Sequence, residues 1–169
     1  NYMVDVQKTV PATLGYQPPG YPPYPKSCCI SVNDVICHGV PSDDKILKNG
    51  DIANIDVTVI TPAGYFGDTS RMFIVGEGSI LAKRLCAITY ECMWKGIMQV
   101  KEGATLGDIG ASIAEHAHKN GMSVVREYCG HGIGQVFHEE PQVLHYGIKG
   151  QGMVLKAGMI FTIEPMINA

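Results

Sequence analysis

The chain has 169 residues, 46% apolar and 17% charged, with a formal net charge of −3. That suffices for one domain with a substantial core or two small halves, and gives no electrostatic case for nucleic acid or an anionic membrane as partner. No stretch approaches the roughly 18 apolar residues of a membrane span; six cysteines without paired CxxC spacing, and no signal-peptide pattern, point to the reducing cytosol.

Residues 1–14 carry no clear pattern. Gly15–Pro25 (GYQPPGYPPYP) packs five prolines and three tyrosines into eleven residues, which predicts an irregular or polyproline-II-like loop whose tyrosines cover a pocket. Ser27–Val32 reads as a strand, and Val35–Val40 carries His38 to a turn at Pro41–Asp44. Asp51–Ile60 is rich in β-branched residues, Thr61-Pro-Ala-Gly64 is a turn signal, and Tyr65–Val75 supplies the returning strand. Between Ile80 and Val100, Leu81, Leu85, Ile88 and Cys92 mark the apolar stripe of a helix. Thr105 with Asp108 predicts a capping box for a second helix, with Leu106, Ile109, Ile113 and Ala117 inward and Gly121 as its stop. Ser123–Tyr128 is predicted as a strand, Gly130–Gly134 as a bend, Gln142–His145 as extended, and Met153–Glu164 as two strands about a Lys156-Ala-Gly turn. Strands, helices, then strands argue for α+β with a largely antiparallel sheet, in a single domain over residues 1–169.

The polar residues carry the functional reading. With the hairpin turn centred on Pro62, Asp56 and Asp68 stand directly opposite. Like charges so placed are destabilising unless they share a proton or hold cations; a slipped register with one Asp in solvent is the alternative. His131, in Gly130-His-Gly-Ile-Gly134, can put an imidazole into a site where glycine lets backbone approach closely, or is a plain turn histidine. Glu164 ends the apolar run Met159–Ile163, and a carboxylate turned inward there wants a cation or proton. His38 is an acid, base or substrate donor, or a satisfied loop histidine. His138 lies outside any helical HExxH spacing. His116 and His118 are expected on the solvated surface, and His145 is expected to be structural. Oxygen-rich ligation with one imidazole (Asp56, Asp68, His131, Glu164) suits Mn²⁺, Fe²⁺, Co²⁺ or Zn²⁺. Shared carboxylates allow two ions roughly 3.5–4 Å apart, which activate a water and polarise a carbonyl. Spacing alone thus leads to a dinuclear metallohydrolase.

The runs YPKS (24–27), VICHGVP (35–41), DIANIDVTV (51–59), GDTSRMF (67–73), REYCGHGIG (126–134), FHEEPQVLHY (137–146) and FTIEPM (161–166) together resemble type I methionine aminopeptidase from about residue 12 to 169. The resemblance implies the α+β pita-bread fold and removal of initiator methionine from nascent proteins with a small second residue. It implies that Asp56, Asp68, His131 and Glu164 hold two divalent metal ions (Co, Mn, Fe or Zn), with Asp68 bridging and Glu164 also assisting proton transfer. His38 and His138 would be the substrate-side histidines, stabilising charge on the tetrahedral intermediate. Tyr16, Tyr24, Cys29 and Phe137 would wall the methionine pocket, where aromatic edges and sulfur suit a thioether.

The chain departs from that pattern in several places. The family's fifth ligand, a bridging glutamate, would lie beyond Ala169, its N-terminal helix would precede Asn1, and the sequence reads as cut at both ends. The proline-rich loop and the hairpin are longer than the family's, and Thr13 stands where a pocket cysteine is expected. The partners implied are nascent polypeptide N-termini in the cytoplasm, with possible ribosome association, no direct nucleic-acid or membrane binding, and a monomeric state. The competing readings are a proline-specific aminopeptidase of the same fold and a catalytically inert binding module.

Overall fold

A computed structural model describes residues 2–169; Asn1, where the predicted domain starts, lies outside the described residues. The chain divides into two compact units. Among the described residues, one runs as far as Ala82 and includes Gly134–Phe137; the other comprises Lys83–Ile133 and His138–Ala169.

In the first unit, β-branched residues crowd the middle strand of the sheet, as their stiff side chains favour. Its strands are β1 (Val10–Pro11), β2 (Cys29–Val32), β3 (Ile52–Ile60) and β4 (Phe66–Ile74). β3 is central and antiparallel to all three others: β1 and β2 share one edge, and β4 runs along the whole of the other. Ala53 and Thr58 on β3 are almost fully buried, with Cys29 and Val32 of β2. The first residues, which showed no pattern, form a π-helical turn over Tyr2–Val6 and then β1. The proline-rich loop is tied at its base: Gly15 N–H donates to Tyr24 O (2.8 Å) and Tyr24 N–H to Tyr16 O (2.8 Å).

The second unit is built on two helices. α1 (Ile80–Ile97), which begins just before the boundary, buries Ile88 and Cys92, although Leu81 of the predicted stripe is exposed. α2 (Leu106–Lys119) starts at the predicted capping box. Thr105 Oγ accepts the Asp108 N–H, while Asp108 Oδ2 accepts the Thr105 N–H at 2.7 Å. Ile109, Ile113 and Ala117 are fully buried, and Gly121 leaves the helix in the left-handed conformation (φ 72°). Around them lie two short antiparallel pairs: β5 (Ser123–Val124) with β8 (Ile167–Asn168), and β6 (Gly130–Gly132) with β7 (Glu139–Val143).

Several expectations needed correction. The strand predicted over Ser123–Tyr128 ends at Val124, because its partner β8 is only two residues long. Gly130–Gly132 is a strand, not a bend. A Cβ at Gly130 would stand 2.3 Å from Thr162 O and one at Gly132 2.2 Å from Glu140 O, so the glycines serve close backbone approach rather than turning. The Lys156-Ala-Gly turn is present (Gly158 φ 91°), but its flanks form only isolated bridges, Thr105 to Val154 and Gly132 to Phe161. His116 is not a surface residue: half-buried, its Nε2 lies 2.7 Å from Glu91 Oε2, joining α2 to α1.

Candidate functional site

In the first unit, the hairpin sets the two aspartates on one face of the sheet, but not opposite each other. Asp56 pairs with Ser70, and Thr58 with Asp68. The connection is five residues, Thr61–Tyr65, centred on Ala63: Thr61 N–H donates to Tyr65 O (2.8 Å), and Gly64 takes φ 82°. Centring the turn one residue later than Pro62 shifts each partner by two, and the ladder carries no bulge. Asp56 and Asp68 are therefore diagonal neighbours, at positions that in a sheet lie about 7–8 Å apart, with the Cβ atoms closer. This spacing relieves the head-on repulsion and leaves room for cations between the carboxylates. Asp56 Oδ1 is buried.

His38 is held in a left-handed conformation (φ 55°) that non-glycine residues rarely adopt. The following residue causes it. Gly39 O accepts the Ile30 N–H (2.8 Å) and Gly39 N–H donates to Ser31 Oγ (3.0 Å), while a Cβ at Gly39 would sit 2.3 Å from Ile30 O. Stitching Gly39 to β2 forces the strain onto His38, as is common where a side chain must be aimed. Crowding by neighbouring atoms lowers the imidazole pKa, against the weaker opposing pull of Asp68, so His38 is neutral near pH 7.

The residues expected to wall a pocket gather in the same unit. Tyr24 Oη donates to Gly39 O (2.7 Å), and burial, then the neighbouring Cys29 thiol, push its pKa upward. Cys29 faces Asp56 across β2 and β3, and burial raises its pKa. Tyr16 packs on Phe137, with ring centroids 4.9 Å apart, and Phe137 stacks on Phe66 at 5.4 Å. Phe66 escaped the sequence reading; its only signal was its place at the start of β4.

The second unit brings together His131, His138 and Glu164. His131 projects from β6, and its Nδ1 lies 2.9 Å from Gly132 O. A carbonyl can only accept, so Nδ1 carries the proton and Nε2 of the neutral ring bears the lone pair. That lone pair is 3.6 Å from Glu164 Oε1. Two acceptors at this separation fit a shared cation: ligands about 2.0–2.2 Å from one ion stand some 3–4 Å apart. The backbone bond at the other ring nitrogen is the usual support of a metal-bound histidine. His138 is exposed, its ring edge-on to that of His131 at 4.3 Å. Glu164 is less enclosed than expected, its side chain 37% accessible against 11% for His131. Thr162 and His145, which sequence reasoning did not connect to the site, both hydrogen-bond Glu164. The candidate ligands divide between the units: Asp56 and Asp68 in the first, His131 and Glu164 in the second.

Residues 5–169 match metallopeptidase family M24. The chain is 57% identical over 169 residues to methionine aminopeptidase of Escherichia coli (strain K12), covering all of this chain and 62% of that protein, and 55% identical to the Haemophilus influenzae protein of the same name, covering 99% and 61%. It thus spans about three-fifths of the length of these relatives. Among solved structures, methionine aminopeptidase from Rickettsia prowazekii matches with a TM-score of 0.90 at 56% identity, over 95% of this chain and 62% of that one. A prolidase from Pyrococcus horikoshii matches less closely, with a TM-score of 0.68 at 30% identity over 82% and 39%. The fold is accordingly the α+β pita-bread type that the motifs implied.

Proposed function

This chain belongs to metallopeptidase family M24, and on that premise we propose that it is the catalytic part of a methionine aminopeptidase. The substrate is a nascent polypeptide with an N-terminal methionine and a small second residue, met in the cytoplasm. The observation that carries the reading is the His131–Glu164 pair, whose donor atoms converge at 3.6 Å with the histidine tautomer set for ligation. Asp56, Asp68, His131 and Glu164 are the residues that would hold two divalent cations. Mixed carboxylate and imidazole donors suit Mn²⁺, Fe²⁺, Co²⁺ or Zn²⁺.

Bound there, the cations would supply the Lewis acidity that activates a water and polarises the scissile carbonyl. The remaining tasks fall to side chains. Neutral His38 and the exposed His138 donate to the peptide and to the charge that develops on its carbonyl oxygen. Glu164 takes the proton of the attacking water and passes it to the departing amine. Tyr16, Tyr24, Cys29 and Phe137 receive the methionine side chain, since soft sulfur and ring edges favour a thioether. Action as a monomer near the ribosome fits the substrate.

The experiment is release of methionine from a Met-Ala-Ser peptide under anaerobic conditions with Mn²⁺, Fe²⁺ or Co²⁺, with a chelator control and an Xaa-Pro peptide in parallel. Chelator-sensitive release from Met-Ala-Ser alone is expected. Cleavage of only the Xaa-Pro peptide would move the assignment to a proline-specific aminopeptidase, and release that ignores the chelator would overturn the metal mechanism.

A further inference from the structure

Beyond the ligands themselves, two residues of the second unit hold Glu164 from opposite ends. Thr162 Oγ donates its one proton to Glu164 Oε1 at 2.6 Å and accepts the backbone N–H of His131 at 3.0 Å. Thr162 N–H also donates to His131 O at 2.9 Å. One residue is thus hydrogen-bonded to the backbone of the histidine, on both its amide and its carbonyl, and to the side chain of the glutamate. The approach that makes this possible depends on Gly130, where a Cβ would stand 2.3 Å from Thr162 O and 3.1 Å from its hydroxyl. The contact to Glu164 has the length of a charge-assisted hydrogen bond. It occupies one lone pair of Oε1 and so fixes the direction of the other.

The backbone of Glu164 is anchored separately. Its N–H donates to His145 Nε2 at 3.1 Å, which puts the imidazole proton on Nδ1. His145 is fully buried, and that Nδ1 meets no hydrogen-bond partner among the described residues. Burying an unsatisfied polar atom is costly, and an apolar residue of similar size would avoid the cost. What the imidazole provides in return is an acceptor for the Glu164 amide.

We propose that Thr162 is a positioning residue for the metal-ligand pair His131 and Glu164, coupling the two through its hydroxyl, with His145 as the second anchor of Glu164. The inference rests on the metallopeptidase reading of these two ligands. Loss of a group that orients metal ligands lowers affinity about 10–100-fold.

The test is Mn²⁺ affinity measured by calorimetry on the protein, on Thr162→Val, Thr162→Ser and Glu164→Gln, with melting of the metal-free forms alongside. Thr162→Val preserves volume and removes the hydroxyl. It is expected to bind Mn²⁺ about 10–100-fold more weakly with an unchanged metal-free melt, while Thr162→Ser stays within about threefold of the parent. Should Thr162→Val fail to fold, Thr162→Ala is read in the same way. Parent-like affinity in the variant lacking the hydroxyl, with Glu164→Gln weakened, would overturn the positioning role and leave the metal site standing. Failure of the parent to bind Mn²⁺ would overturn the proposed metal site of this chain, and this inference with it.

Discussion

Substituting Gly110 by alanine tests how tightly α2 is seated on the segment that carries His145. A Cβ at this buried position would lie 2.3 Å from Tyr146 O and 2.7 Å from Leu144 O. Both obstacles are backbone atoms, so no rotamer change can clear them; the helix or the 144–146 segment must move. Overpacking of this kind costs about 1–3 kcal/mol, and rigid backbone puts Gly110→Ala at the upper end. Alanine returns about 1 kcal/mol through its helix propensity. The net expectation is a loss of about 2 kcal/mol, or a melting temperature lower by about 4–8 °C for a chain of this size. Gly96→Ala on α1 is the control, because its Cβ would meet only side-chain carbons, 2.7 Å from Ile113 Cδ1 and 3.3 Å from Ile109 Cγ2. There the propensity gain offsets most of the strain, and a loss of no more than about 1 kcal/mol is expected. Urea unfolding followed by circular dichroism reads both. Because the displaced segment carries His145, the acceptor for the Glu164 amide, Gly110→Ala should also weaken Mn²⁺ binding while Gly96→Ala does not. A Gly110→Ala protein as stable as the parent, or a Gly96→Ala protein that is the more damaged, would refute the reasoning.

Asp68→Asn is expected to lose divalent-cation binding and metal-dependent turnover while its far-ultraviolet circular dichroism stays that of the parent; near-normal turnover would remove Asp68 from the ligand set. His138→Ala should lower turnover about 100- to 1,000-fold, the usual loss of one oxyanion donor, yet keep Mn²⁺ affinity within a few-fold. Metal loss as severe as in Asp68→Asn would make His138 a ligand instead. At the start of α2, Thr105→Ala should cost about 1 kcal/mol at neutral pH, read by thermal melting. The Thr105 N–H, then the Gly150 N–H, hold the Asp108 pKa below its ordinary value. A depressed folded-state pKa contributes stability above the unfolded value, and that contribution disappears as pH falls through the folded one. The stability gap between parent and Asp108→Ala should therefore close on acidification, and a gap that widens would contradict the assignment.

The features legible in the sequence are those decided by neighbours a few residues apart. The capping box of Thr105 and Asp108 spans three residues, the buried face of α2 repeats every three or four, and the glycine after the helix needs only its own backbone freedom. The candidate ligands are singled out by residue type and local setting, Asp56 and Asp68 by the hairpin and His131 by its flanking glycines. Tertiary structure decided how those groups are aimed. A five-residue turn centred on Ala63, one position beyond Pro62, moved Asp56 and Asp68 from opposed to diagonal positions. Gly130–Gly132 became a strand because carbonyls of Glu140 and Thr162 approach it, and Met153–Glu164, apolar enough for strands, found only single bridges. Thr162 and His145 escaped notice because Thr162 lies 31 residues from His131 and His145 lies 19 from Glu164. A hydrogen bond over that separation is set by how whole elements pack, and local propensity carries no trace of it.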